Sequence, residues 1–398
     1  MTNTGGPLTG IQVVDLTTAV SGPVAAVILA DQGADVIKIE PPGGDFMRAA
    51  GPKTGMNPTF VACNRGKRSM VLDLKQQRAA EIMWRVIESA DVLIQNFRPG
   101  AIERLGFGAS TVAARNPKLV YLSISGVGES GPYSGKRVYD PVIQALGGLA
   151  DIQADPQTGR PRMVRTLIAD KTTAVYAAQA VVAALFSRER TGVGQHIRLS
   201  MLDTLVCYLW PEGMASSALV DTEPETTAAS AHDMIFPTAN GYITLGAVSN
   251  REWSGLCEVL GRREWIDDIR FCTAAARSLN RQERLNAVEG ELQGRTTEEL
   301  IAALDAADVP CAPVLTRVEM MSDRQVEANE LITEIDQPGL GRLRQARSAA
   351  RFEGTPNVVP SAAPMLGEHT APILSNAGYT LEEIAAWHKA GVVFDGAV

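Results

Sequence analysis

Residues 11–40 read IQVVDLTTAVSGPVAAVILADQGADVIKIE, and this stretch decides the fold. IQVVDL (11–16) is a short apolar run rich in β-branched residues, TTAVSG a loop, PVAAVILADQG a helical segment, and ADVIKIE (34–40) a second strand. That order is a β-α-β unit. Ser21, Gly22 and Pro23 stand where the helix begins, with proline suited to the first helical position and small residues to the cap. The free N–H groups of such a start can hold an anion; the plainer reading is a well-made helix terminus.

Outward from there the alternation continues: SMVLDL (69–74) as strand, QQRAAEIMWRVIESA as helix, DVLIQNF (91–97) as strand, AIERLG as a short helix and KLVYLSISG (118–126) as strand. Strands alternating with helices imply a parallel sheet covered on both faces, an α/β fold of Rossmann-like type. No G-x-G-x-x-G follows the first strand, so a nicotinamide or flavin cofactor lacks support. A long alanine-rich helix (171–190), a strand and a further helix start complete a large domain over 1–214. The polar, small-residue stretch 215–232 reads as a linker, 233–325 as a smaller α/β domain opening on the hairpin-like MIFPTANGYITLGA, and 326–354 as a return linker. The tail, from about 355 to 398, ends in a helix too short to stand alone and is expected to dock on the large domain.

Composition narrows the chemistry. A net charge of −8 argues against nucleic-acid binding, and no apolar run is long enough to span a bilayer. The start MTNTGGPLTG lacks the features of a signal peptide, so a cytoplasmic location is expected. Five scattered cysteines and four distant histidines offer neither a disulfide framework nor a metal site. Residues 61–104 are locally basic, with eight Lys or Arg (65, 67, 68, 75, 78, 85, 98, 104) against five acidic residues, which suits a small phosphorylated ligand or simply a solvated face.

Several long blocks in order then resemble the class III CoA-transferases, the CaiB/BaiF type that includes formyl-CoA:oxalate and carnitine CoA-transferases. They are 10–45, NRGKRSMVLDLK (64–75), DVLIQNFRPGAIERLG (91–106), NPKLVYLSISGVGESGPY (116–133), DKTTAVYAAQAVVAAL (170–185) and TGVGQHIRLSMLDTL (191–205). The resemblance implies a large Rossmann-like domain, a smaller α/β domain, and two chains interlocked as a homodimer. It also implies acyl-CoA and a small carboxylic acid as substrates, with no tightly bound cofactor. Carried over residue by residue, CoA contacts fall on Val20, Ser21, Leu72, Lys75, Asn96, Phe97, Arg98, Arg104, Arg137 and Tyr139, with Lys75 and Arg104 as the foremost phosphate ligands. The family often has arginine where this chain has Pro41, and Lys38, Arg48 or Arg65 are candidates to replace it.

Asp170 matches the family's catalytic aspartate, with Asp140 beside Tyr139 facing the reacting thioester. Read without the resemblance, Asp170 is a helix N-cap; either way the helix terminus is expected to lower its pKa. The implied chemistry is attack of Asp170 on the thioester, a mixed anhydride, then an aspartyl-CoA thioester. The glycine-rich lid of some relatives is reduced here to Gly246 in TLGAVSNREW. Two rivals share the fold. An α-methylacyl-CoA racemase would need a histidine where Tyr139 stands, and a non-catalytic CoA binder would have no use for Asp170.

Overall fold

β1 (Gln12–Asp15), β2 (Asp35–Glu40), β3 (Arg68–Leu72), β4 (Val92–Gln95), β5 (Val120–Ser125) and β6 (His196–Ser200) lie parallel in the order β3-β2-β1-β4-β5-β6. These strands come from a computed structural model that describes residues 5–49, 56–155, 157–221, 234–358 and 361–395. Their near-continuous apolar runs follow from burial on both faces. Successive residues point to opposite sides, so Val14, Ile37, Met70 and Leu93 face one core and Val13, Val36, Val92 and Val120 the other.

The first core is closed by the helix Gln77–Ser89, whose Ile82, Met83 and Val86 are buried in it, and by Ile384 and Trp387 of the tail. The second is closed by α1 (Ser21–Asp31) and the long helix Ile168–Thr191, which meet through Ala25, Ala26, Ala174, Ala177 and Ala178. Alanine contacts let two helices approach closely. Strand order reverses between β1 and β4, so the carboxyl ends of these neighbours open a crevice where α/β sheets bind ligands.

The chain divides into two compact units, Met1–Ala229 with Glu330–Val398, and Ser230–Asn329. Within the second, β7 (Ile235–Pro237), β8 (Tyr242–Leu245) and β9 (Cys311–Pro313) form a small antiparallel sheet over a core that includes Trp253, Leu256, Phe271 and Leu300. Of the stretch expected as the outgoing linker, Ala215–Ser217 forms a 3-10 turn, and 222–232 lies outside the described residues. The stretch expected as a return linker is not irregular. It carries a six-pair hairpin of β10 (Ile332–Gln337) and β11 (Gly341–Ala346), and Gln337 fastens it by exchanging two hydrogen bonds with the Ala363 backbone at 2.8 and 3.0 Å. Charged residues such as Glu334, Arg342 and Arg344 pair across this hairpin and conceal it from a hydrophobicity reading. The tail's last strand, β12 (Val393–Phe394), joins the main sheet antiparallel to β3.

Candidate active site

The loop after β1 is fixed from beneath by buried charges. Asp15 accepts from the Thr17 hydroxyl at 2.5 Å, the Thr17 N–H at 2.9 Å and Lys67 Nζ at 2.7 Å. Lys67 also donates to the Pro23 carbonyl and to Asn64 Oδ1, both at 2.9 Å. Lys38 donates to the Thr17 carbonyl at 2.8 Å and to Asp45 at 3.1 Å. Against the cost of its own burial, Lys67 and Lys38 hold the Asp15 carboxyl below its ordinary value, while burial pushes Lys67 down to about 8.

From across the crevice Asn96, just past β4, clamps Thr18. Its Oδ1 accepts the Thr18 N–H at 3.0 Å and its Nδ2 donates to the Thr18 carbonyl at 2.9 Å. Between these anchors Ala19 sits at φ 68°, a left-handed conformation that costs a non-glycine residue about 1–3 kcal/mol and persists only where its surroundings impose it. Gly22 is required by packing, since a Cβ there would lie 2.4–2.6 Å from the Thr17 side chain.

This scaffold delivers the start of α1 to Asp170. Val20 is the N-cap and supplies no side-chain acceptor. Ser21 instead favours the ionised Asp170 carboxylate through its side chain and its backbone, so the anion expected at this helix start is one of the chain's own side chains. Asp170 sits in the first turn of its helix, whose N-cap is Leu167; it is not itself the cap. Its N–H donates to Asp140 Oδ2 at 3.0 Å, and Gln144 Nε2 donates to Asp140 Oδ1 at 2.6 Å.

The expected lowering of the Asp170 pKa is reversed. Burial pushes this carboxyl up, the Asp140 carboxylate adds to the effect, and Ser21 only partly offsets them, leaving it at about 6. Asp140 and Gln144 are themselves 1% and 2% exposed, on the helix Asp140–Leu146. Gln144 had no signal in the sequence beyond its place one helical turn after Asp140.

Of the eight basic residues in 61–104, most are engaged internally: Arg65 by Asp31, Lys67 by Asp15, Arg68 by Asp35, Arg78 by Glu81 and Arg85 by the Ala377 carbonyl. Lys75, Arg98 and Arg104 are exposed with no side-chain partner among the described residues, as is Arg137. Lys75 and Arg98 follow the carboxyl ends of β3 and β4, and Arg104 ends the short helix Ala101–Arg104. None of the three replacements considered for Pro41 is free: Lys38 binds Asp45, Arg65 binds Asp31, and Arg48 grips Glu40 through two 2.7 Å bonds. The side chains of Val20 and Leu72 are buried, which leaves their backbones for a ligand; Phe97 is half-buried and Tyr139 is 72% exposed.

Comparison with known proteins settles the family, because residues 8–370 match the profile of CoA-transferase family III. The chain belongs to CoA-transferase family III. It is 34% identical over 389 residues to the succinate–glutarate CoA-transferase of Agrobacterium fabrum, covering 94% of this chain and 96% of that one. It is 33% identical to the formyl-CoA:oxalate CoA-transferase of Shigella sonnei, covering 96% and 98%. The crystal structure of a CAIB/BAIF family protein from Brucella suis superposes with a TM-score of 0.81 at 32% identity, covering 94% and 100%.

In this CoA-transferase the TLGAVSNREW segment is a capped turn. Ser249 and Glu252 form a reciprocal capping box at the start of Asn250–Leu260, and the Gly246 N–H is bonded to the Pro310 carbonyl. Among the described residues His196, His369 and His388 lie against Ser123, Ser69 and Asp395, and none reaches Asp170. No helix of the described residues is long and apolar enough to cross a membrane.

Proposed function

We propose that this CoA-transferase moves CoA from an acyl-CoA donor to a carboxylic acid acceptor through covalent intermediates on Asp170, with short dicarboxylic acids as its substrates. The observation that carries the reading is the Asp170 carboxylate held at the start of α1, beside the crevice between β1 and β4. The substrate class is supported by relatives named for succinate and glutarate, for mesaconate and for oxalate.

A carboxylate oxygen of Asp170 attacks the thioester carbonyl, and collapse expels CoA thiolate and leaves a mixed anhydride. The thiolate then attacks the aspartyl carbonyl. The donor acid departs as its carboxylate, an aspartyl-CoA thioester remains, and the acceptor carboxylate runs both steps in reverse. Ser21, whose side chain and backbone favour the ionised carboxylate, stands ready to stabilise the oxyanion that forms on the same group, reinforced by the positive end of α1. Asp140 acts as the second carboxylate, making Asp170 more basic and a better nucleophile while leaving it mostly ionised at neutral pH.

Lys75, Arg98, Arg104 and Arg137 are the cations that remain for the CoA phosphates. Val20, Ser21, Leu72, Asn96, Phe97 and Tyr139 form the rest of the CoA contact set, with Asn96 contributing by holding the Thr18 loop. The large domain takes in the tail, the small domain is a separate unit, and the working form is an interlocked homodimer. Exposed Val175, Tyr176, Val182 and Phe186 on the long helix support dimerisation.

The deciding experiment is peptide mass spectrometry after incubation with a panel of acyl-CoA esters and hydroxylamine. A hydroxamate or CoA adduct on the Asp170 peptide, absent in Asp170→Ala, is expected. CoA binding with no adduct from any ester would overturn the covalent route.

A further inference from the structure

We propose that Gln144 is a positioning residue for this transfer: it holds the Asp140 carboxylate against the backbone N–H of Asp170 and thereby governs when the nucleophile loses its proton. The inference rests on the assignment of Asp170 as nucleophile made above. Gln144 uses every polar atom of its side chain. Nε2 donates to Asp140 Oδ1 at 2.6 Å and lies 3.2 and 3.3 Å from the Val164 and Thr166 carbonyls, while Oε1 accepts the Val164 N–H at 2.9 Å. One buried amide therefore joins the second carboxylate to the segment that leads into the nucleophile's helix.

The consequence for Asp140 follows from counting its partners. One oxygen accepts from Gln144 and the other from the Asp170 N–H, so two neutral donors fix the position of this carboxylate. An ionised Asp140 opposes ionisation of Asp170. The other groups that act on Asp170 are Ser21 from α1 and the Cys63 thiol, which itself feels Lys67, Lys38 and Asp45. On its own helix Lys171 is tied to Thr166 Oγ1 at 2.6 Å, and Arg165 just before the helix is exposed. None of these other groups shares a hydrogen bond with Gln144. Loss of the amide lets the Asp140 carboxylate swing away from Asp170, which makes Asp170 ionise at lower pH.

The test labels carboxyl groups with a water-soluble carbodiimide and an amine, read at the Asp170 peptide across pH, which needs no substrate and no turnover. In Gln144→Leu the midpoint for Asp170 is expected about one pH unit below the parent, a shift Asp140→Asn reproduces and the double variant does not extend. Far-UV dichroism checks the fold; should the leucine variant fail to fold, Gln144→Asn, whose arm is too short to reach Asp140, takes its place. An unmoved midpoint in a folded variant, or a Gln144 shift that persists fully in the Asp140→Asn background, overturns the proposal. Hydroxylamine trapping on the same samples reports the covalent route separately. A missing adduct in the parent with a normal labelling midpoint would defeat the nucleophile assignment and not the Gln144–Asp140 coupling.

Discussion

A carboxyl that titrates at about 6 is roughly nine-tenths ionised at pH 7, so Asp170, the proposed nucleophile, is mostly in its reactive form there. The rate of adduct formation should fall about tenfold per pH unit below 6, and a profile flat down to pH 5 would contradict the site described here. The same shift bears on stability. The folded value lies above the 3.8 of a free aspartate, so the native state holds this proton more tightly between those limits, and ionised Asp170 costs stability at higher pH. Two pH units correspond to about 3 kcal/mol at most. Asp170→Asn should therefore lose the adduct yet unfold at higher denaturant concentration at pH 7, with the gain shrinking as pH falls from 6 towards 4. The proposal of Asp170 as nucleophile came only through resemblance to a family, because an aspartate near a helix start is ordinarily a cap. Its perturbation was not legible at all, since it depends on burial in the folded chain and then on Asp140, 30 residues away in sequence.

At the scale of the element, the β1–α1 connection is a loop whose conformation is held by groups from β2, β4 and the segment before β3. Lys67 stands under it, and Lys67→Met would leave Asp15 buried without its cation, a loss of about 3–5 kcal/mol readable in a chemical melt. Gly22→Ala should be as damaging to activity for a different reason, since its methyl must displace Thr17 and with it the Thr18–Asn96 clamp. Parental adduct formation in the Gly22→Ala variant would show that the clamp is dispensable. The strand-loop-helix-strand order here was readable from β-branched runs and small residues. Pro23 falls at the third helical position, later than a preference for the first position suggests, because α1 begins at Ser21. Lys38 inside VIKIE, a run buried on both faces, was the one sequence hint that charges lie beneath the loop.

Across the whole molecule, the parallel α/β sheet followed from alternating strand and helix patterns, whereas the hairpin at 332–346 did not, since its strands carry charged side chains. The free cations predict how CoA is held. Arg104→Ala and Lys75→Ala should each weaken CoA binding about tenfold or more by calorimetry, as expected for one charge-assisted phosphate bond, while Arg68→Ala, at a residue already paired with Asp35, should not. Phe186 is 65% exposed, and Phe186→Asp should shift the sedimenting species to monomer if the helix face is the dimer contact. The closing strand β12 carries a different implication. Val71 of β3 pairs with Phe394 of β12, which is made about 320 residues later, so at about 5–20 residues per second a ribosome needs roughly 15–65 s before the open flank of β3 can be covered. Through that interval a nascent chain exposes an unpaired edge to its neighbours on the polysome, and its yield should depend on whether a chaperone occupies that edge until synthesis reaches the tail.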